Sequence, residues 1–287
     1  MLRSSLCLVV TLCCGAVQAQ AELVADFGGS TLDAFPRNLT PCGDRLFFTA
    51  YTPDEGWELW VTDGTLAGSH LVKDINPGAA HGTDFGNHLT AVGGTLFFMA
   101  RDAEHGRELW RSDGTEAGTV MVADIWSGPN ESIPTKLFAL GDVVVFTAED
   151  AGGRKLHASD GNTVVAITEH PLDIAASVAP LVIGDVAYFS AWTPMTDNYS
   201  LWSTTASSAT LVKNIFAGFG QSAGISELTL ATGGFYFRAN TPDVGAELWR
   251  SNGTEGGTAL VGDMLPGEYG LEPRYLTVMG GDLYFVG

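Results

Sequence analysis

Histidine and carboxylate side chains gather along two neighbouring stretches of this chain. His81, Asp84 and His88 lie in one, and Asp102, Glu104 and His105 follow shortly after. Imidazole nitrogens among carboxylate oxygens make a donor set for a divalent metal, or an acid–base pair. The sequence therefore predicts a nitrogen–oxygen metal site drawn from His81, Asp84, His88, Asp102 and His105. A second chemistry is aromatic. Trp57, Trp126 and Trp192 fall where loops are expected, and an indole can stack on a sugar or anchor a protein ligand. A third is calcium binding, because Glu58, Glu108 and Glu247 recur together with Asp74, Asp124 and Asp263. Hard cations take clustered carboxylate and carbonyl oxygens, although these stretches lack the dense Asp/Asn spacing of a dedicated calcium loop. No nucleophile elbow, phosphate-binding glycine loop, Cys-x-x-Cys pair or His-Glu-x-x-His helix is present.

The elements that must position these residues are repeated. Residues 58–78 read ELWVTDGTLAGSHLVKDINPG, residues 108–128 read ELWRSDGTEAGTVMVADIWSG, and residues 247–267 read ELWRSNGTEGGTALVGDMLPG. Two worn copies, KLHASDGNTVVAI and SLWSTTASSATLVKNIFAG, begin at Lys155 and Ser200. Trp60, Trp110, His157, Trp202 and Trp249 thus recur every 45–50 residues. Each unit reads as four short strands. In the second they are Leu89–Val92, Thr95–Ala100, Arg107–Ser112 and Thr119–Ile125, broken by Gly93-Gly94, 102–106 and Asp113-Gly114. Such pairs supply the positive φ angles of tight hairpins. Four antiparallel strands at this period form one propeller blade.

The expected fold is all-β, a β-propeller of four-stranded blades, about six of them, spanning residues 20–287. The units run roughly over 37–76, 87–126, 136–168, 180–216 and 227–265. A sixth, 274–287, lacks its ELW strand and is completed by 22–28, so that the ring closes on an incomplete blade or the chain is cut short. In a meander, the turns between second and third strands share a face with the interblade loops. That face carries most of the candidate residues and is acidic.

The 287 residues hold 33 acids against 14 bases, a net charge of −19, which disfavours nucleic acid and anionic membrane surfaces as partners. Residues 1–19 read as a secretory signal, with Arg3 before a short apolar run and small residues near Ala19. Export to the periplasm, cell surface or medium follows, and no segment is long enough to span a membrane. With Cys7, Cys13 and Cys14 in the signal, Cys42 has no intrachain partner in the mature chain.

The residues Glu58-Leu59-Trp60 with Asp63-Gly64-Thr65, and Glu108-Leu109-Trp110 with Asp113-Gly114-Thr115, match a known pattern throughout. Glu247-Leu248-Trp249 with Asn252-Gly253-Thr254 matches with Asp changed to Asn. The chain resembles the ELWxxDGT repeat proteins, exported bacterial proteins built from arrays of this unit. The resemblance implies a propeller-like fold and export, and no established activity. The repeated residues read as scaffold: Trp as the wedge between blades, Asp or Asn as the cap of a turn. The functional expectation is a non-catalytic binding or surface-interaction module for a protein or glycan. The alternative is a carbohydrate-active or other hydrolytic enzyme using the acidic loop face.

Overall fold

The computed structural model describes residues 34–83, 89–175, 178–216 and 222–287. The predicted strand at 22–28 and the signal sequence lie outside them. The architecture is all-β and propeller-like, built of four-stranded antiparallel sheets. The chain divides into two compact units. One holds the residues through Val144 with Asp160–Val164, the other Val145–Ser159 with Val165–Gly287.

In the first unit, β1 (Arg37–Cys42), β2 (Arg45–Thr52), β3 (Gly56–Thr62) and β4 (His70–Lys73) form blade 1 in sequence order. Blade 2 repeats it with β5 (Thr90–Val92), β6 (Thr95–Asp102), β7 (Gly106–Ser112) and β8 (Val120–Ala123). The next sheet comprises β9 (Thr135–Leu140), β10 (Val143–Asp150), β11 (Gly153–Ser159) and β12 (Val164–Ala166), and the unit boundary runs through it. In the second unit, β13 (Asp173–Ile174), β14 (Leu181–Ile183), β15 (Val186–Thr193), β16 (Asn198–Thr204) and β17 (Ala209–Lys213) make the fourth sheet. It has five strands because both β13 and β14 pair with β15, so part of the expected 168–180 loop is strand. The fifth sheet contains β18 (Ser226–Ala231), β19 (Gly234–Thr241), β20 (Gly245–Ser251) and β21 (Ala259–Leu260). Finally, β22 (Arg274–Met279) and β23 (Asp282–Val286) form a two-stranded sheet.

Every residue of β3 is buried, because an inner strand covered on both faces cannot show a polar-out alternation. Each third strand sets its aromatic opposite a phenylalanine of the second: Phe48 opposite Trp60, Phe98 opposite Trp110, Phe189 opposite Trp202, Phe237 opposite Trp249. His157 keeps the arrangement in the worn third unit, stacked on Phe146 at 5.6 Å. Trp110 packs with Val61, Val72 and Ile75 of blade 1, and Trp249 with Leu201, Val212 and Ile215 of the fourth sheet. Trp110 and Trp249 are therefore interblade wedges.

The DGT segment is a capped turn. Asp113 Oδ1 accepts the Thr115 amide at 2.9 Å and its hydroxyl at 2.7 Å. Asn252 Oδ1 accepts the same two groups of Thr254 at 3.1 and 2.7 Å. Only the carbonyl-type oxygen is used, so Asn serves as well as Asp. Gly114 holds φ +87° and lies against Arg45 of blade 1, whose Nη1 donates to Asp113 O at 2.8 Å. Gly118 is required differently: a Cβ there would collide with the Asp113 carboxylate.

Candidate functional site

The loop face of blades 1 and 2 is assembled by the repeated glutamate. Glu58, Glu108 and Glu247 have no exposed surface. Glu108 Oε1 accepts the Ser132 amide, 24 residues on, at 3.2 Å. Its Oε2 accepts the Ile125 amide at 3.0 Å and the Ser132 hydroxyl at 2.6 Å. Glu58 Oε1 accepts the Gly82 amide at 2.8 Å, and Glu247 Oε1 accepts the Leu271 amide at 3.1 Å, both again 24 residues on. The carboxylate thus staples the interblade loop to the third strand. This is why β8 ends at Ala123 and not at Ile125: the Ile125 amide leaves the ladder for Glu108.

The loop so held lies beside the hairpin between the second and third strands. Thr83 N donates to Trp57 O at 2.9 Å, and Arg101 N donates to Gly82 O at 2.8 Å. Ile133 N donates to Arg107 O at 3.1 Å.

On this face the structure brings together Asp102 and His105. Asp102 Oδ1 caps its own turn, accepting the Glu104 and His105 amides at 3.0 and 2.7 Å. His105 Nδ1 lies 2.9 Å from Asp102 Oδ2. The hydrogen bond that the His105 ring donates to Asp102 raises the His105 pKa above the ordinary imidazole value. Partial burial opposes ionisation of Asp102, but the bonds from the His105 side chain and backbone outweigh it and hold its pKa low. A carboxylate on Nδ1 fixes the tautomer and leaves Nε2 to exchange a proton.

His81 does not join them as a metal ligand. Its Nδ1 accepts the Trp57 amide at 3.2 Å, so the neutral ring carries its proton on Nε2. Asp84 and His88 lie outside the described residues. Among the described residues no three or more His, Cys, Asp or Glu side chains gather to hold a metal. The metal site predicted from His81, Asp84, His88, Asp102 and His105 is corrected accordingly, for the described members.

The aromatic prediction is corrected for Trp57 and Trp192, which are strand residues, while Trp126 lies in a loop as expected. Trp57 is the second residue of β3, only 5% exposed, with Arg37 over its ring at 5.3 Å and Tyr51 opposite it. Trp192 belongs to β15 and faces Tyr199, the same cross-strand pair with the partners exchanged. Trp126 is a loop residue whose amide turns to Glu108 Oε1 at 3.4 Å. Cross-strand stacking, with a period of two, accounts for the first two.

Bases missed in the sequence pair with some acids of the loops. Arg101 and Arg107 oppose each other across β6 and β7. Glu131 relieves their repulsion, lying 2.5 Å from Arg107 Nη1 and 3.6 Å from Arg101 Nη2. In the third sheet Arg154 pairs with Glu149 and Lys155 with Asp150, each at 2.8 Å. Lys155 stands where the intact units have the buried Glu, so the staple is replaced there by a surface ion pair.

Neither a protein-family model nor a curated protein matches this chain. Solved structures do. The puromycin hydrolase S511A mutant complexed with PGG is similar at a TM-score of 0.51 and 12% identity, over 87% of this chain and 42% of that one. A structure from work on two prolyl endopeptidases is similar at 0.50 and 14%, over 94% of this chain and 40% of that one. This chain thus spans about two fifths of the length of those structures. At such identity the likeness shows the fold. The expectation of a non-catalytic binding module is not what these neighbours favour: the two are a puromycin hydrolase and a prolyl endopeptidase, which leans to the hydrolytic alternative.

No helix among the described residues is long and apolar enough to cross a membrane.

Proposed function

We propose that the chain works in the hydrolysis of peptide-type amide bonds, with His105 and Asp102 as its acid–base pair. The observation that carries this reading is the 2.9 Å contact between His105 Nδ1 and Asp102, on the face where the interblade loops gather. The hydrolase fold neighbours support the same class of reaction. Neutral His105, with its Nδ1 proton held by Asp102, would take a proton from water on Nε2 as the water oxygen attacks the amide carbon. Asp102 would stabilise the imidazolium so formed. That proton then passes to the departing nitrogen, leaving a carboxylate and an amine. Arg101, half exposed, would supply positive charge to the oxygen that becomes negative.

The acidity of the chain supports a neutral or cationic peptide as substrate, and not a nucleic acid. Membership of the ELWxxDGT repeat proteins, and export through residues 1–19, belong to this proposal. The repeated residues and the charge and apolar pattern of the first residues support them.

The test is hydrolysis of chromogenic aminoacyl and peptidyl anilides by the purified chain. His105→Gln is expected to lower kcat/KM by roughly 100-fold or more. Asp102→Asn should lower it less and shift the acid limb of the pH profile downward, since Asp102 raises the His105 pKa. Absence of amide hydrolysis, or equal rates in parent and His105→Gln, would sink the reading. Cleavage of polysaccharides alone would move the substrate class to glycans.

A further inference from the structure

Asn252-Gly253 is the one Asn-Gly pair in the sequence, and Asn252 is exposed at the turn after β20. Such a pair is chemically labile, because glycine has no side chain to shield its amide nitrogen from the asparagine carbonyl. In that reaction the Gly253 nitrogen loses its proton to a solvent base and attacks Asn252 Cγ. The new bond closes a succinimide ring. The bond from Cγ to the side-chain nitrogen breaks, and that nitrogen leaves as ammonia with a proton from water. Water then opens the ring at either carbonyl, giving aspartate or isoaspartate. Aspartate would reproduce the Asp-Gly-Thr of blades 1 and 2. Isoaspartate, with an extra methylene in the main chain, would not fit the turn.

The turn holds the nucleophile. Gly253 N–H donates to Ser251 Oγ at 2.9 Å. The Ser251 hydroxyl lies 2.7 Å from Thr258 Oγ1, and Thr258 spends its own proton on Thr254 O at 2.6 Å. Ser251 therefore donates to Thr258 and keeps an oxygen lone pair for the Gly253 N–H. A proton held in this way is harder to remove. The side-chain amide is held too, since a Cβ on Gly257 would collide with it. The Thr254 amide and hydroxyl polarise the Asn252 carbonyl in the direction that favours attack, so the proton on Gly253 decides the rate. The intact units carry the same hydroxyl at the end of their third strand. Thr62 Oγ1 accepts the Gly64 N–H at 2.9 Å, and Ser112 Oγ accepts the Gly114 N–H at 3.0 Å. We propose that Asn252 is a latent self-modification site, whose conversion to aspartate or isoaspartate the Ser251 hydroxyl suppresses.

The test is peptide mapping by mass spectrometry after incubation in mildly alkaline buffer. It reads the mass gain of amide to acid, and the isoaspartate, at 252–253. The folded parent should keep Asn252 while the same chain in urea loses it. Ser251→Ala should speed the loss from the folded chain by roughly fivefold, the worth of one amide hydrogen bond, and leave the rate in urea unchanged. Ser251→Thr, which brings the hydroxyl of blade 1 to blade 5, should stay slow. Thr258→Val loosens the same turn but leaves the Gly253 N–H on Ser251, so it should stay near the parent. Equal rates in folded parent and Ser251→Ala overturn the proposal. So does a Thr258→Val as fast as Ser251→Ala, which would assign the protection to the rigidity of the turn. If Ser251→Ala does not fold, the parent decides. A Gly253 amide that exchanges its hydrogen as fast as an open peptide, or an Asn252 lost as quickly from the folded chain as in urea, overturns the proposal as well.

Discussion

Glu108 accepts the hydroxyl and the amide of Ser132, 24 residues along the chain, whereas Glu58 meets at that separation a glycine with only an amide to give. One position in a repeat therefore carries two energetic states of the same buried acid. In blade 2 the carboxylate is saturated by the loop it holds. In blade 1 it has backbone amides and no side-chain hydroxyl.

Removing the saturated staple should be severe. Glu108→Ala strands the amides of Ile125 and Ser132 and the Ser132 hydroxyl without their acceptor in a buried site. Lost hydrogen bonds to a charged group, with the donors left unpaired, predict a loss of about 3 kcal/mol. Urea unfolding would check it, and Glu108→Gln, which keeps one carbonyl acceptor, should lose about half as much. A loss no larger than an exposed substitution gives would remove the staple from this account.

Much of the blade was legible in the sequence and little of the staple was. Gly-Gly and Asp-Gly breaks and a fixed period are signals carried by residue type, so strands and turns could be placed from them. The Asn at 252 already showed that the turn needs an acceptor and not a charge. The partners of Glu58 and Glu108 are backbone amides, which have no residue type to recognise. Only the constant separation of 24 residues marks them, and its loop ends carry Gly, Ser or Leu. The sequence places Trp57 in a loop. Its neighbour across the ladder, Tyr51, makes it strand. His81 and His105 look alike in sequence; what their Nδ1 atoms face separates a ring that accepts a backbone proton from one held by a carboxylate.

The DGT turn yields a graded series. Asp113→Asn should leave stability within about 0.5 kcal/mol, since Asn252 makes the same bonds. Asp113→Ala removes a turn cap with two bonds and should cost about 1 kcal/mol. Gly114→Ala should cost more, because φ is +87° and Arg45 occupies the space a Cβ would take. Thermal unfolding of the three variants checks the order, and a harmful Asp113→Asn would contradict the turn reading.

Glu58 predicts an alkaline weakness. Burial first, and then the charge of Asp74, push its pKa from 4.5 up to about 8, against the backbone hydrogen bonds that lower it. A carboxyl raised in the folded state favours folding while it stays protonated. That advantage is complete at acid pH and shrinks as pH rises from about 4.5 through about 8. Glu58→Gln keeps a neutral group throughout, so its stability relative to the parent should climb by a few kcal/mol over that window. Parallel curves for parent and variant would refute this.

His157 predicts the opposite limb. Burial against Phe146 depresses its pKa below 6.5, outweighing the Lys155 carbonyl that accepts from its ring. The folded chain keeps the imidazole neutral while the unfolded chain takes up a proton. Stability from this group is therefore full above pH 6.5 and falls as the solution is acidified towards the lower folded value. His157→Phe retains a ring to stack on Phe146 and cannot take a proton, so it should remove that part of the acid destabilisation. Denaturant midpoints of parent and variant between pH 7.5 and 5 measure the difference. The gap between them should move in favour of His157→Phe as pH drops. A constant gap would mean that His157 takes up its proton as readily in the folded chain as in the unfolded one, and that the worn third blade tolerates a charge where the other blades keep an indole.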